Sequence, residues 1–139
     1  MITGFTISDV AGKITSIDAL GKQRFPKLNI NIEGVTSEAT KLKIKYTFVA
    51  DYFDGEAKES KNVGQIKLGG EVEVTESKDA VAAAVKKWSE KHILPVEVAE
   101  EVINGLNFRC SATGTLVSYA LGLIPPLVIS TTKIQETKS

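Results

Sequence analysis

The side chains best suited to acid–base or nucleophilic chemistry are few and lie far apart in the sequence. His92 and Cys110 are the single histidine and the single cysteine. His92 comes near the end of a predicted helix, where a cation interacts favourably with the helix dipole, so we expect a surface or capping role. Cys110 falls on an apolar helical stripe and is expected to be a buried small hydrophobe rather than a reactive thiol. Because no partner base or nucleophile is evident for either, the sequence favours a protein that is not an enzyme and predicts no catalytic residue.

Two short motifs could hold a ligand but are better explained by structure. The stretch VGQIKLGGEV (63–72) lacks the spacing and the Lys-Ser/Thr ending of a phosphate-binding loop, so its glycines predict a bend in a sheet. The stretch EVAEE supplies Glu97, Glu100 and Glu101 without a nearby histidine, which is typical of a solvated helix start rather than a metal site. We therefore expect no cofactor and no bound metal.

The charge balance argues against a nucleic-acid partner. Lys plus Arg number 17 and Asp plus Glu number 17, so the formal net charge is zero and no basic excess is available to neutralise phosphates. Lys41, Lys43 and Lys45 form a basic strip on one predicted strand. We expect this strip to be a solvated face that discourages edge pairing, because an RNA-contacting strip would carry exposed aromatic residues between its cations.

Cysteine usage and the first residues predict a cytoplasmic location. A single cysteine cannot form an intramolecular disulfide or a zinc site of clustered thiolates. The opening residues, MITGFTISDVAGK, contain no basic region followed by a continuous apolar core, so they do not resemble a secretory signal. Zero net charge also favours self-association.

The first half of the chain alternates with a period of two, which predicts antiparallel strands. In KLKIKYTFVADY (41–52), the apolar side chains fall on one face and the lysines on the other. An earlier alternation begins at Phe5 and Ile7 and loses its phase near Asp9, which predicts a bulge or bend there. Gly69 and Gly70 predict another irregularity, and the polar segment 54–64 indicates a turn.

From residue 77 the period changes to that of a helix. A first helix places an apolar stripe, ending in Trp88, on one side, with Asp79 as the expected N-cap. A second helix begins at Pro95, a favoured first-turn residue. It must end before Pro125, and Gly105 or Gly114 could break it, because each glycine costs up to about 1 kcal/mol relative to alanine.

Strands followed by helices predict an α+β fold. We expect a four-stranded, or slightly larger, antiparallel sheet with two C-terminal helices packed on one face. The length of 139 residues suits one domain, 1–139, with residues 128–139 adding an extended edge.

The stretch 110–132 contains no charged residue or histidine. Its apolar run 116–124 is too short for a membrane span, which needs about 20 residues, so we expect no membrane insertion. Small residues recur at every fourth position, at Cys110, Gly114, Ser118 and Gly122. This small-residue lane allows another backbone to approach the helix closely. The larger apolar residues point in several directions around a helix, and one sheet face cannot bury them all. The stretch is therefore either core or a surface that meets another chain, and we expect a homo-oligomer.

The helix start and the proline pair resemble one known family. In HILPVEVAEEVI, a proline-led helix follows the predicted strands, with Pro95, Ala99, Glu100 and Val102 in its first turns. The apolar segment Leu-Ile-Pro-Pro-Leu at 123–127 follows that helix. This order of features resembles the bacterial export chaperone SecB and its SecB-like relatives.

The resemblance implies an ATP-independent holding chaperone that binds unfolded or extended polypeptide clients in apolar grooves, with a link to protein export. The residues expected to line or adjoin such a groove are Trp88, Tyr119, Leu123, Ile124 and Leu127, although core packing is the leading expectation for Trp88. One alternative is a structural or assembly subunit whose apolar segment forms a fixed oligomer interface. The other is a small enzyme or ligand-binding module with a pocket between sheet and helices.

Overall fold

The period-two segments of the first half form the strands of one antiparallel sheet. The computed structural model describes residues 1–127, and the extended edge predicted for 128–139 lies outside the described residues. The regular elements are β1 (Ile2–Ile14), β2 (Lys27–Glu38), β3 (Lys41–Phe53), β4 (Asn62–Thr75), α1 (Lys78–Lys91) and α2 (Val96–Leu121). The strands pair in the order β1-β4-β3-β2, so β3 and β4 are central and β1 and β2 form the edges.

Strand β3 shows how the alternation sorts side chains between the two faces. Ile44 and Phe48 are fully buried on one face and lie opposite Val72 and Leu68 of β4. On the other face, Lys45 is exposed. Lys43 and Lys45 lie opposite Glu73 and Glu71 of β4. Lys41 lies opposite Thr75 and forms an ion pair with the neighbouring Glu73 at 3.6 Å. The basic strip predicted for 41–45 is therefore part of a solvated face with mixed charge.

The two irregularities expected in the strands are one feature of the sheet. The register of β1 shifts between Ile7, which pairs with Gly70, and Asp9, which pairs with Gly69. A Cβ added at Gly70 would lie 1.9 Å from the carbonyl oxygen of Thr6. The loss of phase on β1 and the glycine pair on β4 thus mark the two sides of a single bulge.

Helix α1 is capped by a different residue from the one predicted. The hydroxyl of Ser77 accepts a hydrogen bond from the backbone N–H of Ala80 at 3.2 Å, so Ser77 is the N-cap. Asp79, the expected cap, lies in the first turn, where its charge still complements the helix dipole. The helix ends at His92, which adopts a left-handed conformation with φ of 54° and donates its backbone N–H to the carbonyl of Trp88.

Helix α2 follows Pro95 and continues without a break through Gly105 and Gly114. Both glycines are sites of close approach: a Cβ at Gly105 would lie 2.8 Å from Ile2, and one at Gly114 would lie 2.8 Å from Pro126. The sequence suggested that these glycines could interrupt the helix. Tertiary packing on them offsets their poor propensity instead.

Both helices pack on the same face of the sheet, as predicted. Helix α1 contacts β2, and α2 contacts β1 and β4. Val81 from α1 and Val102, Leu106 and Cys110 from α2 join the buried face of the sheet in one apolar core. Each fully buried aliphatic side chain contributes about 1.5–3 kcal/mol to folding. The predicted α+β class, with a four-stranded antiparallel sheet, is confirmed.

Candidate functional site

Helix α2 has one buried side and one apolar side that residues 1–127 leave uncovered. Cys110, Gly114 and Ser118 are buried. On the opposite side, Phe108 and Tyr119 expose 74% and 73% of their surface. The side chains that share this uncovered side form what we call the outer stripe: Phe108, Ala112, Leu116 and Tyr119. None of them carries a charge, so they present an apolar face rather than a solvated one.

The small-residue lane on the buried side is covered by the chain's own next segment. Residues 122–127, which we call the return segment, leave α2 at Gly122, whose φ is 73°. The ring of Pro126 then packs against Gly114, within 2.8 Å of the position a Cβ would take. The close approach that the lane permits is therefore made within one chain by the return segment.

The return segment is held in place by hydrogen bonds at its start. The N–H of Leu123 donates to the carbonyl of Ser118 at 3.0 Å. The N–H of Ile124 donates to Oε1 of Gln23 at 2.7 Å, and the Tyr52 hydroxyl donates to the carbonyl of Ile124 at 2.5 Å. Both backbone groups of Ile124 are thus satisfied by side chains from elsewhere in the fold.

Gln23 lies in the connection 15–26 between β1 and β2 and brings that loop against the return segment. Its Nε2 donates to the carbonyl of Gly122 at 2.9 Å and to that of Leu20 at 3.0 Å. The same loop exposes Ile17 and Phe25, at 80% and 55% of their surfaces. The loop 15–26 and the return segment are far apart in the sequence, and both carry exposed apolar side chains. The hydrogen bonds of Gln23 connect these two segments.

The five predicted site residues occupy different environments. Leu127 is 52% exposed, Ile124 is half-buried, and Leu123 is buried against the end of the sheet near Gly64. Tyr119 lies on the outer stripe. Trp88 is half-buried on α1 and packs edge-on against the ring of His92, with 5.6 Å between centroids. The return segment thus gathers three of these residues, whereas Tyr119 and Trp88 lie on other surfaces.

Gln23, Tyr52, Ile17 and Phe25 were not predicted as site residues. Gln23 lies in a polar loop, where nothing in the sequence distinguishes it from its neighbours. Tyr52 carried a usable signal, because it falls on the buried face of β3 and a buried phenol needs a hydrogen-bond partner. Its hydroxyl finds that partner in Ile124.

The titratable groups of the core are kept neutral. Cys110 is fully buried, and burial raises the pKa of its thiol to about 12. Burial also raises the pKa of the Tyr46 and Tyr52 hydroxyls. A thiol that stays protonated at neutral pH is a poor nucleophile, so Cys110 behaves as the small core residue that its position on the stripe predicted.

A polar depression of about 290 Å³ lies on the solvated face of the sheet, beside the bulge in β1. Its lining includes charged side chains from all four strands: Asp9, Glu33, Lys45 and Glu71. The hydroxyl of Thr47 donates a hydrogen bond to Glu33 at 2.6 Å.

Within residues 1–127 no group of histidine, cysteine and carboxylate side chains is arranged to hold a metal ion. Over the same range no helix is long and apolar enough to cross a membrane.

The arrangement of sheet and helices matches a known fold. Among solved structures, the chain is similar to a SecB-like chaperone from Mycobacterium tuberculosis, solved in complex with a ChAD peptide from the HigA1 antitoxin. The TM-score is 0.54 and the sequence identity is 7%, over 95% of this chain and 90% of that one. The two proteins share a fold. The chain matches no protein-family model and no curated protein sequence.

The likeness confirms the SecB-like architecture expected from the order of sequence features, at the level of the fold alone. At 7% identity it does not extend to sequence membership in that family. Residue roles in the chain are therefore argued below from its own contacts and exposure.

Proposed function

We propose that this protein is a non-enzymatic, ATP-independent holding chaperone that binds unfolded or extended polypeptides on exposed apolar surface. The observation that carries the proposal is that the folded subunit leaves Leu116, Tyr119 and Leu127 uncovered, at 72%, 73% and 52% of their surfaces. Leu116 and Tyr119 share the outer stripe, whereas Leu127 lies on the return segment. Contiguous exposed apolar side chains, as on the outer stripe, are typical of interaction surfaces. The shared fold with a chaperone that was solved with a bound peptide supports the same function.

The return segment and the loop 15–26 are the part of this surface best suited to an extended client. Ile124 and Leu127 present apolar side chains there, and Leu123 adjoins them as the buried anchor of the segment. Among residues 1–127, edge strands β1 and β2 each have one side of their backbone that is not paired with another strand. An extended client could add backbone hydrogen bonds along such an edge while its side chains enter apolar pockets. Tyr119 and Trp88 would contact other parts of a long client.

The proposal includes a homo-oligomer. A charge-free face on α2 is formed by Phe108, Leu116 and Tyr119. A second copy that packed on part of this face would remove apolar surface from water, which lowers the free energy by roughly 25 cal/mol per Å².

The proposal also includes a cytoplasmic location, because the single cysteine is free and buried and so needs no oxidising compartment.

Suppression of aggregation tests the holding activity directly. A chemically denatured client is diluted into buffer with increasing amounts of the purified protein, and turbidity is followed. We expect suppression at a near-stoichiometric ratio without ATP. Leu127→Glu should weaken it, because the charge falls on the exposed apolar surface, whereas Ala83→Glu on the exposed side of α1 should not. The proposal fails if the wild-type protein gives no suppression at severalfold excess over the client.

A second candidate is a structural or assembly subunit whose apolar surface is consumed by fixed contacts between copies. The outer stripe favours it, because a continuous uncharged helix face suits permanent helix packing. Light scattering combined with a hydrophobic dye separates the two functions. An oligomer that does not raise the fluorescence of the dye and binds no peptide supports the structural subunit. An oligomer that binds both the dye and peptides supports the chaperone.

A role in protein export follows from the family resemblance only. It predicts that cells lacking the chain process exported precursors more slowly, which pulse labelling would measure. Unchanged processing would confine the proposal to holding clients in general.

A further inference from the structure

The return segment is held by side-chain hydrogen bonds rather than by strand pairing, in addition to the Leu123 bond to Ser118 and the packing of Pro126 on Gly114. Residues 123–127 form neither helix nor strand. Pro125 and Pro126 have no N–H group, so the N–H of Ile124 is the last backbone donor before Leu127. That donor is bound by Gln23, and the carbonyl of the same residue is bound by Tyr52.

The Gln23 carboxamide bonds to the return segment at two points, as a neighbouring strand would. Its oxygen accepts from the N–H of Ile124 and its nitrogen donates to the carbonyl of Gly122. The nitrogen also donates to the carbonyl of Leu20 in its own loop. This bond restrains the side chain, so that the loop and the segment are connected through one amide group.

We propose that Gln23 is a positioning residue for the polypeptide-binding surface, acting together with Tyr52 on Ile124. By fixing Ile124, Gln23 sets how the apolar groups of the return segment are spaced from Ile17 and Phe25 on its own loop. The inference rests on the proposed function, since it assigns the part of the surface that an extended apolar client contacts. Release of the carboxamide would leave the sheet and both helices intact but let the loop and segment separate.

Gln23→Glu is the sharpest test of this role. The substitution preserves size and keeps an oxygen to accept from Ile124. At neutral pH, however, the carboxylate cannot donate, and it faces the carbonyl oxygens of Gly122 and Leu20. The two carbonyl oxygens disfavour the charged form and so raise the pKa of the introduced carboxyl above its ordinary value of about 4.3, and protonation toward pH 5 restores one donor. The variant should therefore bind clients in a pH-dependent way that neither the wild type nor a merely destabilised protein shows.

The experiment measures the dissociation constant of a fluorescent, extended apolar peptide without ionisable side chains, at pH 7.5 and pH 5.0. For Gln23→Glu we expect binding about fivefold weaker than wild type at pH 7.5, the scale of one lost hydrogen bond, and a smaller difference at pH 5.0. Gln65→Glu is the matched control. Gln65 donates to Asp51 at 2.8 Å on the solvated face of the sheet, so its replacement should leave peptide binding as in the wild type at both pH values.

Each outcome separates this inference from the function on which it rests. If the wild-type protein binds no such peptide, the proposed function fails and the inference fails with it. If the wild type binds and Gln23→Glu binds equally well at pH 7.5, or its deficit does not shrink at pH 5.0, only the positioning role is overturned. Should Gln23→Glu be unfolded at the assay temperature, Tyr52→Phe carries the test. It removes one hydroxyl and its bond to Ile124, and unchanged binding by that variant also overturns the role.

Discussion

The ring of Pro126 lies directly over the bare Cα of Gly114, so close that a Cβ at position 114 would be 2.8 Å from Cγ of the proline. With this contact the chain covers the part of the buried side of α2 around Gly114, while the sheet covers Leu106 and Cys110 on the same side. The return segment occupies the small-residue side, and Phe108, Leu116 and Tyr119 on the opposite side of the same helix face outward. The proposed binding surface therefore includes the side of α2 that the return segment does not cover.

Gly114→Ala is expected to lower the free energy of unfolding by about 1–2 kcal/mol. Alanine gains up to about 1 kcal/mol in helix propensity, but the overlap with a rigid proline ring costs more, because neither the helix nor the ring can yield freely. Urea denaturation measures the difference. Gly21→Ala is the control, since no atom lies within 4 Å of its added Cβ, and it should change the stability little. A Gly114→Ala protein more stable than wild type would show that the return segment does not pack tightly on α2.

Gly70→Ala is expected to disrupt the pairing of β1 with β4. The new Cβ would lie 1.9 Å from the carbonyl oxygen of Thr6, so the strands must separate or shift register, at a cost of about 3 kcal/mol or more. Hydrogen exchange of the β1 amides together with thermal unfolding would detect this. The matched change Gly34→Ala on β2 meets only a side-chain atom of Lys45 at 3.9 Å and should be tolerated. Equal effects of both changes would contradict the geometry of the bulge.

Leu116→Glu is expected to reduce the size of the proposed homo-oligomer while leaving the subunit folded. Leu116 is 72% exposed, so a charge there should alter the stability of the subunit by no more than about 0.5 kcal/mol. Within an interface between copies, the same charge would be buried without a partner. Light scattering over a range of concentrations measures the result, with Ala83→Glu on α1 as the control. An unchanged oligomer would exclude Leu116 from the interface.

The free energy of unfolding should fall at high pH because the thiol of Cys110 is buried in its protonated form. Burial raises the pKa of the thiol from 9.0 to about 12, so its contribution to stability is complete below pH 9 and is lost as the pH rises toward 12. In that window the unfolded chain releases a proton that the folded chain keeps, and the stability falls by up to about 1.4 kcal/mol per pH unit. Chemical denaturation at pH 8.0, 9.5 and 10.5 measures the slope. Cys110→Ala should show a shallower one, and identical slopes for the two proteins would contradict the shift.

Local periodicity was sufficient to predict the sheet, the two helices and their order. The side chains of β3 alternate between the faces of the sheet, and this pattern reflects burial on one side only. The bulge was also predictable, because a residue inserted in one strand shifts the apolar phase after it, as happens at Asp9. The cap of α1 was assigned wrongly to Asp79, because both Ser77 and Asp79 are good capping residues and their spacing does not distinguish them.

The candidate site was only partly predictable. The charge-free stretch and the proline pair drew attention to Leu123, Ile124 and Leu127, which are near neighbours in the sequence and belong to the return segment, and their role in binding stays a prediction. The partners that hold them could not be found in the same way. Gln23 and Ile124 are 101 residues apart, and no local pattern connects them.

The sequence alone therefore determined the α+β architecture, the bulge and the presence of an excess of apolar residues in the last third, because each follows from the spacing of side chains along a short stretch. Only the tertiary structure decided which of those residues are covered. Which residues are covered depends in part on the packing of the return segment on Gly114 and on its hydrogen bonds to Gln23 and Tyr52. These contacts join residues that are far apart in the sequence, so they form only when the strands and helices pack together.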